Sequence, residues 1–360
     1  MKLSIKAIFK RVSDIKKNIF FNSRTDLSYV VENKDWAVSY VGKKVVEGLK
    51  KAKFENARIT TTALGIRGQI VHFGSLHSLV TEKGFKGVHS SNKIVLTWFH
   101  FVPEYKSNKN VFLLQERLKI VHTSCNITKQ KIIDFGVDQG KIVMIPLGVD
   151  LNLFKPTFSD LKEKIRDTVG IPKGSLVIGS FQKDGNGWGE GLEPKLIKGP
   201  DVFVKVVREL SKDYPVFVLL VGPSRGYVKK ELEKNNIAYK SIGYVENFNE
   251  VANYYKALDL YLVTSRIEGG PQAILESMAS GVPLVSTKVG MAVDVIIDGE
   301  NGFLAEVESI SQIVQKAKLV IEDQALRERL VKNALETVKD YSWENINQRY
   351  LDEIYLKLIN

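Results

Sequence analysis

Two glutamates, Glu268 and Glu276, stand with seven residues between them in Ser265-Arg-Ile-Glu-Gly-Gly-Pro-Gln-Ala-Ile-Leu-Glu-Ser-Met-Ala-Ser-Gly-Val-Pro. Just upstream, Tyr261-Leu-Val-Thr reads as a buried strand. Gly269 and Gly270 read as a loop, Pro271 as the first residue of a helix and Gly281 as its end. A strand that feeds a tight turn into a helix N-terminus gathers backbone N–H groups and the positive dipole end at one spot. Proline has no N–H, so the expected donors are Gly270, Gln272 and Ala273. Arg266 stands beside them, to touch a phosphate or to pair with Glu268. Glu268 precedes the spot, and Glu276 lies one to two turns into the helix. Carboxylates that only accept hydrogen bonds, set beside an anion pocket, suit a ligand carrying both phosphate and hydroxyls. A sugar nucleotide is such a ligand.

A second stretch, Gly179-Ser-Phe-Gln-Lys-Asp-Gly-Asn-Gly-Trp-Gly-Glu-Gly-Leu-Glu-Pro-Lys-Leu-Ile-Lys-Gly-Pro-Asp, supplies the opposite charge. A strand end opens into a glycine-rich loop whose backbone can approach a ligand closely. Lys183, Lys195 and Lys198 bring positive charge. Breaking a sugar–phosphate bond leaves a nucleoside diphosphate with growing negative charge. Lys183, Lys198 and the expected helix N-terminus are placed to stabilise it. The chain contains no Asp-x-Asp motif of the kind that holds a metal for this purpose, so a metal-independent reaction with no cofactor is expected. Asp184-Gly-Asn-Gly-Trp-Gly-Glu has a passing likeness to a calcium loop. It lacks the twelve-residue frame between helices and the closing bidentate glutamate.

The elements that must carry these residues alternate. Trp36, Tyr40, Val41, Val45 and Leu49 recur at helical spacing across residues 35–51. Strand-like runs begin at Arg58, Gln69, Lys93, Lys119 and Lys141, and a second series begins at Leu176, Val216, Tyr239, Leu260 and Pro283. Helical segments lie between them. Such alternation argues for parallel sheets in an α/β protein. Residues 1–35 offer no confident element. Pro146–Pro156 reads as the connection between an N-terminal domain, 1–150, and a C-terminal domain, 151–342. The last helix, 343–360, follows a plausible N-cap at Ser342. In Leu96-Thr-Trp-Phe-His-Phe, His100 falls near the carboxyl end of a strand, where open α/β sheets bind ligands. His72 and His77 flank Gly74-Ser75 at the end of the preceding strand and either line an acceptor or belong to the core.

The chain has 360 residues, 44% of them apolar, and one cysteine, Cys125, so no internal disulfide framework exists. A single cysteine and many lysines fit a reducing cytosol. The basic start is interrupted by Lys6, Lys10 and Arg11 and does not read as a signal peptide. No run reaches the ~18 apolar residues of a membrane span. The net charge of +11 is uneven: residues 1–150 hold 25 Lys and Arg against 12 Asp and Glu, and the remainder holds 27 against 29. The basic half suits anionic lipid headgroups or an anionic acceptor such as a lipid pyrophosphate. No nucleic-acid motif accompanies the charge, so a nucleic-acid partner is not expected.

The Glu–seven residues–Glu pattern, with Ala279-Ser-Gly-Val-Pro-Leu-Val, Asp298-Gly-Glu-Asn-Gly-Phe-Leu, Lys198-Gly199 and the linker Ile145-Pro-Leu-Gly-Val-Asp-Leu-Asn-Leu-Phe-Lys-Pro, resembles the retaining glycosyltransferases of family 4. The resemblance is specific over roughly residues 120–345. It implies a GT-B fold: two Rossmann-like, doubly wound domains facing across a cleft, with the final helix crossing back to the first domain. It also implies that Glu268 lies by the donor sugar and Glu276 binds the ribose. Lys198 and, at the position of an arginine, Lys183 would contact the diphosphate. His100 would lie near the transferred sugar, positioning donor and acceptor hydroxyls, and the backbone of Tyr244 and Val245 would hold the base. Many relatives open with a short strand and a Gly-Gly loop, whereas here Trp36-Ala-Val-Ser-Tyr-Val-Gly has no clear strand before it.

The implied activity is transfer of a sugar from a nucleotide-diphosphate sugar to a hydroxyl of a glycan or lipid-linked acceptor, with retention. It would take place in the cytoplasm, peripherally on the inner face of a membrane. Alternatives are another GT-B activity, such as a sugar-nucleotide epimerase or a phosphorylase, or a non-catalytic subunit that binds sugar nucleotide or glycan. A nicotinamide dehydrogenase is disfavoured, because Gly185-Asn-Gly-Trp-Gly does not fit Gly-x-Gly-x-x-Gly after a strand.

Overall fold

Short apolar runs become the strands of two all-parallel sheets. The computed structural model describes residues 5–32, 37–187 and 189–359. The first sheet comprises β1 (Leu27–Val30), β2 (Arg58–Thr60), β3 (Ile70–Phe73), β4 (Lys93–Thr97), β5 (Leu118–Thr123) and β6 (Ile142–Met144). Their order is β2-β1-β3-β4-β5-β6. The second comprises β7 (Leu176–Phe181), β8 (Val216–Val221), β9 (Ala238–Gly243), β10 (Leu260–Val263), β11 (Leu284–Thr287) and β12 (Phe303–Ala305), in the order β9-β8-β7-β10-β11-β12. Strands of a parallel sheet covered on both faces must be apolar throughout. Val216–Val221 and Leu260–Val263 are accordingly buried at every position.

Two compact units result, Met1–Leu147 together with Trp343–Asn360, and Gly148–Ser342. In the second, the strand order reverses between β7 and β10, so loops leaving the carboxyl ends of these two strands border a crevice. Helix Pro200–Leu210 covers this sheet with Val202, Phe203, Val206, Val207 and Leu210, all buried. Among the described residues, no helix is long and apolar enough to cross a membrane.

The first unit corrects the reading of residues 1–35. Ile5–Phe20 is a helix, and β1 precedes the helix Ala37–Ala52, so a strand does stand before that helix. Leu27-Ser-Tyr-Val is only four residues long and buried on both faces, so neither length nor alternation marks it. Asp35 and Trp36, the expected start of the helix, lie outside the described residues.

The chain's last segment completes the first unit. Trp343–Tyr350 continues through the wider turns of a π-helix, Leu351–Tyr355, into Leu356–Ile359. Tyr355 Oη lies 2.5 Å from His72 Nδ1, and Thr97 Oγ1 lies 2.7 Å from His72 Nε2. His122 Nε2 is 2.9 Å from Ile145 O and 3.1 Å from Tyr350 Oη. His72 is therefore a fully buried core residue and does not line an acceptor site. Burial disfavours the imidazolium, drawing the His122 pKa down to about 4 and that of His72 well below its ordinary value. Changing Tyr355→Phe leaves His72 Nδ1 without its hydroxyl partner, a buried polar atom worth about 1–3 kcal/mol. Urea unfolding of the first unit should shift by that amount, and an unchanged midpoint would show that the contact carries no stability.

Candidate functional site

Two loops meet at the strand reversal of the second sheet. The first leaves β7 at Phe181 and ends in a 3-10 turn, Leu196–Lys198. Gly199 closes that turn at φ 62° and opens helix Pro200–Leu210, with Pro200 at its first turn. A Cβ on Gly199 would lie 1.9 Å from Thr264 O, so only glycine fits there. The second loop leaves β10 at Val263. Arg266 N–H and Ile267 N–H donate to Ile197 O at 2.9 and 3.1 Å, and Thr264 Oγ1 donates to Gly199 O at 2.9 Å. On the far side, Gly290 packs on the second loop, where a Cβ would come 2.3 Å from Gly269 O.

This stitching brings Lys198 to Glu268. Lys198 Nζ donates to both carboxylate oxygens, at 2.6 and 2.7 Å, and Ser265 Oγ donates to Oε1 at 2.8 Å. Glu268 is 7% exposed. Lys183 donates to Gly185 O at 2.9 Å. Lys195 completes a basic cluster: burial lowers its pKa, neighbouring Lys198 and Lys183 lower it further, and Glu268 opposes them. Lys198 holds the carboxylate, and Lys195 lies within electrostatic reach of Lys198, Lys183 and Glu268, leaving a local excess of positive charge suited to an anion.

Glu276 is equally enclosed but differently partnered. It lies within helix Ala273–Ala279, is 5% exposed, and accepts from Tyr255 Oη at 2.9 Å. Burial raises its pKa to about 7, with the Tyr255 hydrogen bond opposing. Gln272 is the N-cap and Ala273 the first helical residue, so Pro271 precedes the cap and is not the first helical residue. Pro271 O accepts from Ile274 N–H at 3.0 Å, Gln272 Nε2 donates to Gly148 O at 3.3 Å, and Gly270 is half-buried beside them.

Other expected residues take structural posts. The Arg266 guanidinium forks onto Asp201 at 2.8 and 2.8 Å and reaches Glu308 at 2.5 Å, rather than pairing with Glu268. It joins the helix that follows Gly199 to the second loop. Asp184 faces Arg225 Nε at 2.9 Å, both side chains being 1% exposed, so the calcium-loop likeness is spent on an internal ion pair. Trp188 of that loop lies outside the described residues. Tyr244 and Val245 follow the edge strand β9 at the same carboxyl end of the sheet, with Tyr244 55% exposed. His100 belongs to the first unit, three residues beyond β4, half-buried, its carbonyl accepting from Trp98 Nε1 at 3.1 Å. His77 is exposed, and its ring lies 5.7 Å from that of Tyr105. A cavity of about 960 Å³ lies at the opposite, amino ends of the second sheet, lined by Ser175, Pro215 and Asp259 among others, away from both motifs.

Ser265, Tyr255 and the depth of Lys195 are additions to the sequence reading. The Ser-x-x-Glu spacing of Ser265 and Glu268 is a local signal that finds the first. Tyr255 comes from the preceding helix and has no such signal.

A carboxyl whose folded pKa exceeds its unfolded value stabilises below the unfolded value and loses that stability as pH rises through the folded one. Glu276 should therefore weaken the ligand-free second unit between about pH 4.5 and 7, by about 3 kcal/mol at most. Glu276→Gln should raise the melting temperature at pH 8 and change it little at pH 5. Equal shifts at both values would mean that the carboxyl is not buried as a neutral acid.

Residues 192–337 match the family model of glycosyl transferases group 1. An uncharacterized glycosyltransferase of Methanocaldococcus jannaschii is 31% identical over 149 residues, 41% of each chain. The UDP-Gal:alpha-D-GlcNAc-diphosphoundecaprenol alpha-1,3-galactosyltransferase of Escherichia coli is 27% identical over 294 residues, 77% of this chain and 69% of that one. For most such curated relatives the chain spans 41 to 53% of their length. Among solved structures, Anabaena Alr3699/HepE in complex with UDP and glucose superimposes with a TM-score of 0.74 at 17% identity, covering 92% of this chain and 99% of that one. The fold is GT-B. The stretch that matches the glycosyl transferases group 1 model, residues 192–337, is the one that holds Lys195, Lys198, Glu268 and Glu276.

Proposed function

We propose that this chain transfers a sugar, a hexose in the first instance, from a nucleoside diphosphate donor to a hydroxyl of a glycan or lipid-linked acceptor, as a retaining glycosyltransferase of family 4. The observation that carries this reading is the Lys198–Glu268–Ser265 cluster at the strand reversal, with Lys183 and Lys195 beside it and Glu276 buried in the helix that follows. As the bond from the sugar to the diphosphate breaks, negative charge grows on the leaving phosphate. Lys183 and Lys198 face that charge, and the amides of Gly270, Gln272 and Ala273 add dipoles. An ammonium has three N–H donors, so Lys198 can hold Glu268 and a phosphate oxygen together. Glu268 accepts from sugar hydroxyls and fixes Lys198. Arg266 positions the second loop. Tyr244 and Val245 hold the base through backbone atoms, and His100 orients donor and acceptor hydroxyls. No resident metal or cofactor is assigned.

Glu276 receives the ribose. Two ribose hydroxyls donating to it would favour its charged form, so donor binding releases a proton near neutral pH. The diphosphoundecaprenol-linked substrate in the E. coli relative's name supports a lipid-linked acceptor, and with it a place on the inner face of a membrane, reached through the basic first domain.

Thermal shift across UDP-, GDP- and ADP-sugars tests the donor site: at least one should stabilise the protein. Lys198→Ala and Glu276→Ala should each weaken that nucleotide by roughly tenfold or more, about 1.4 kcal/mol. Affinity of the wild type should rise with pH up to about 7 and then level, a dependence that Glu276→Gln removes. Binding by none of the nucleotides would end the proposal, and unchanged affinity in Glu276→Ala would remove the ribose role.

A further inference from the structure

Helix Ile5–Phe20 is inside out. A surface helix ordinarily buries its apolar stripe and presents its polar face to water. Here the face against the protein is anchored by polar groups, with Ile15 half-buried beside them. Asn18 is 1% exposed and donates to Thr62 O and Leu64 O, each at 2.9 Å. Asp14 Oδ2 accepts from Thr61 N–H at 2.9 Å and Thr61 Oγ1 at 2.7 Å, and Arg58 Nη1 donates to Lys17 O at 2.9 Å. The outward face is apolar: Ile8 is 48% exposed, Phe9 71%, Val12 46%, Ile19 63% and Phe20 72%.

At 100° per residue these five side chains fall within an arc of about 120°, with Lys16 inside it and Lys10 and Lys17 on its aromatic flank. Phe21 and Leu64 extend the patch, at 39% and 41% exposure. The one acidic residue of the helix, Asp14, is turned inward onto Thr61, so the outward face carries positive charge alone. A contiguous apolar patch rimmed by polar groups marks a contact surface. An apolar arc with its two phenylalanines at one edge and lysines beside that edge has the chemistry of a helix lying in the headgroup region of an anionic bilayer. Lys16, within the arc, can bury its stem and keep its ammonium among the headgroups.

We propose that this helix lies flat in the surface of an anionic membrane, its polar inner face holding the first unit against the bilayer. The inference deepens the membrane reading above by naming the element that makes the contact. It stands apart from the donor site, which belongs to the other unit.

Co-sedimentation of the full chain with phosphatidylcholine vesicles, and with an equal mixture of phosphatidylcholine and phosphatidylglycerol, tests it. The chain should bind the mixed vesicles at low salt and release as salt rises. The double variant Phe9→Ser/Phe20→Ser should lose roughly tenfold or more of its partitioning while keeping its melting temperature and its nucleotide-induced thermal shift. Lys10→Gln/Lys17→Gln should lose the preference for phosphatidylglycerol. If the wild type ignores anionic vesicles, the proposal fails. If the phenylalanine variant binds as well as the wild type while the lysine variant does not, the basic domain meets the membrane by another face and this helix is not the element. If light scattering shows a dimer that the phenylalanine variant converts to monomer, with neither form on vesicles, a second copy of the chain covers the patch and the proposal is overturned. Loss of nucleotide binding in the wild type would instead strike the donor reading and leave the vesicle result standing.

Discussion

Everything specific about the second unit depends on one contact, the ammonium of Lys198 seated across both oxygens of Glu268. The two residues come from loops 70 positions apart in the chain, and burying such a pair is favourable only if geometry and further hydrogen bonds compensate for lost water. Ser265 supplies one such bond. The geometry comes from the backbone: Ile197 O takes two amides of the second loop, and Gly199 lets the chain pass so near Thr264 that no side chain would fit. Arg266 and Asp201 tie the outer rim of the same junction. A charge pair placed by so many constraints is preorganised, and preorganised charge is what a reaction with a growing anion can use.

The two glutamates of the motif play unlike parts because their surroundings differ. Glu268 sits among lysines and a hydroxyl. Glu276 sits among apolar neighbours with a phenol for a partner, and its burial lifts its pKa to about 7. Seven residues of sequence separate a carboxylate held by cations from a carboxyl that waits for donors.

The sequence made much of this legible. The glycine–proline turn, the paired glutamates and Lys198-Gly199 are local patterns, and local patterns survive into structure. Five strands of the second sheet lie along the runs that begin at Leu176, Val216, Tyr239, Leu260 and Pro283, whereas the sixth, Phe303–Ala305, starts within the Asp298–Leu304 motif and does not read as a strand. What stayed hidden was non-local. Arg266 looked free to meet a phosphate, because nothing near it in sequence announces Asp201 or Glu308. His72 reads in sequence as either acceptor-lining or core, because the partners that decide it, Thr97 and Tyr355, lie 25 and 283 residues away. The strand at Leu27 and the helix at Ile5 were missed for a different reason. One is too short to show a period, and the other has its amphipathic pattern turned outward, against the rule by which helices are found.

The first unit is built from both ends of the described chain, with the second unit inserted between them. During synthesis, residues 148–342 form a continuous stretch that can reach its native sheet as soon as it emerges. The first sheet is made earlier but cannot finish earlier. His122 and His72 gain their phenol partners only when Tyr350 and Tyr355 have left the ribosome. The order of completion is thus the reverse of the order of translation. A chain cut before Tyr350 would release a finished second unit joined to a first unit with an open seam.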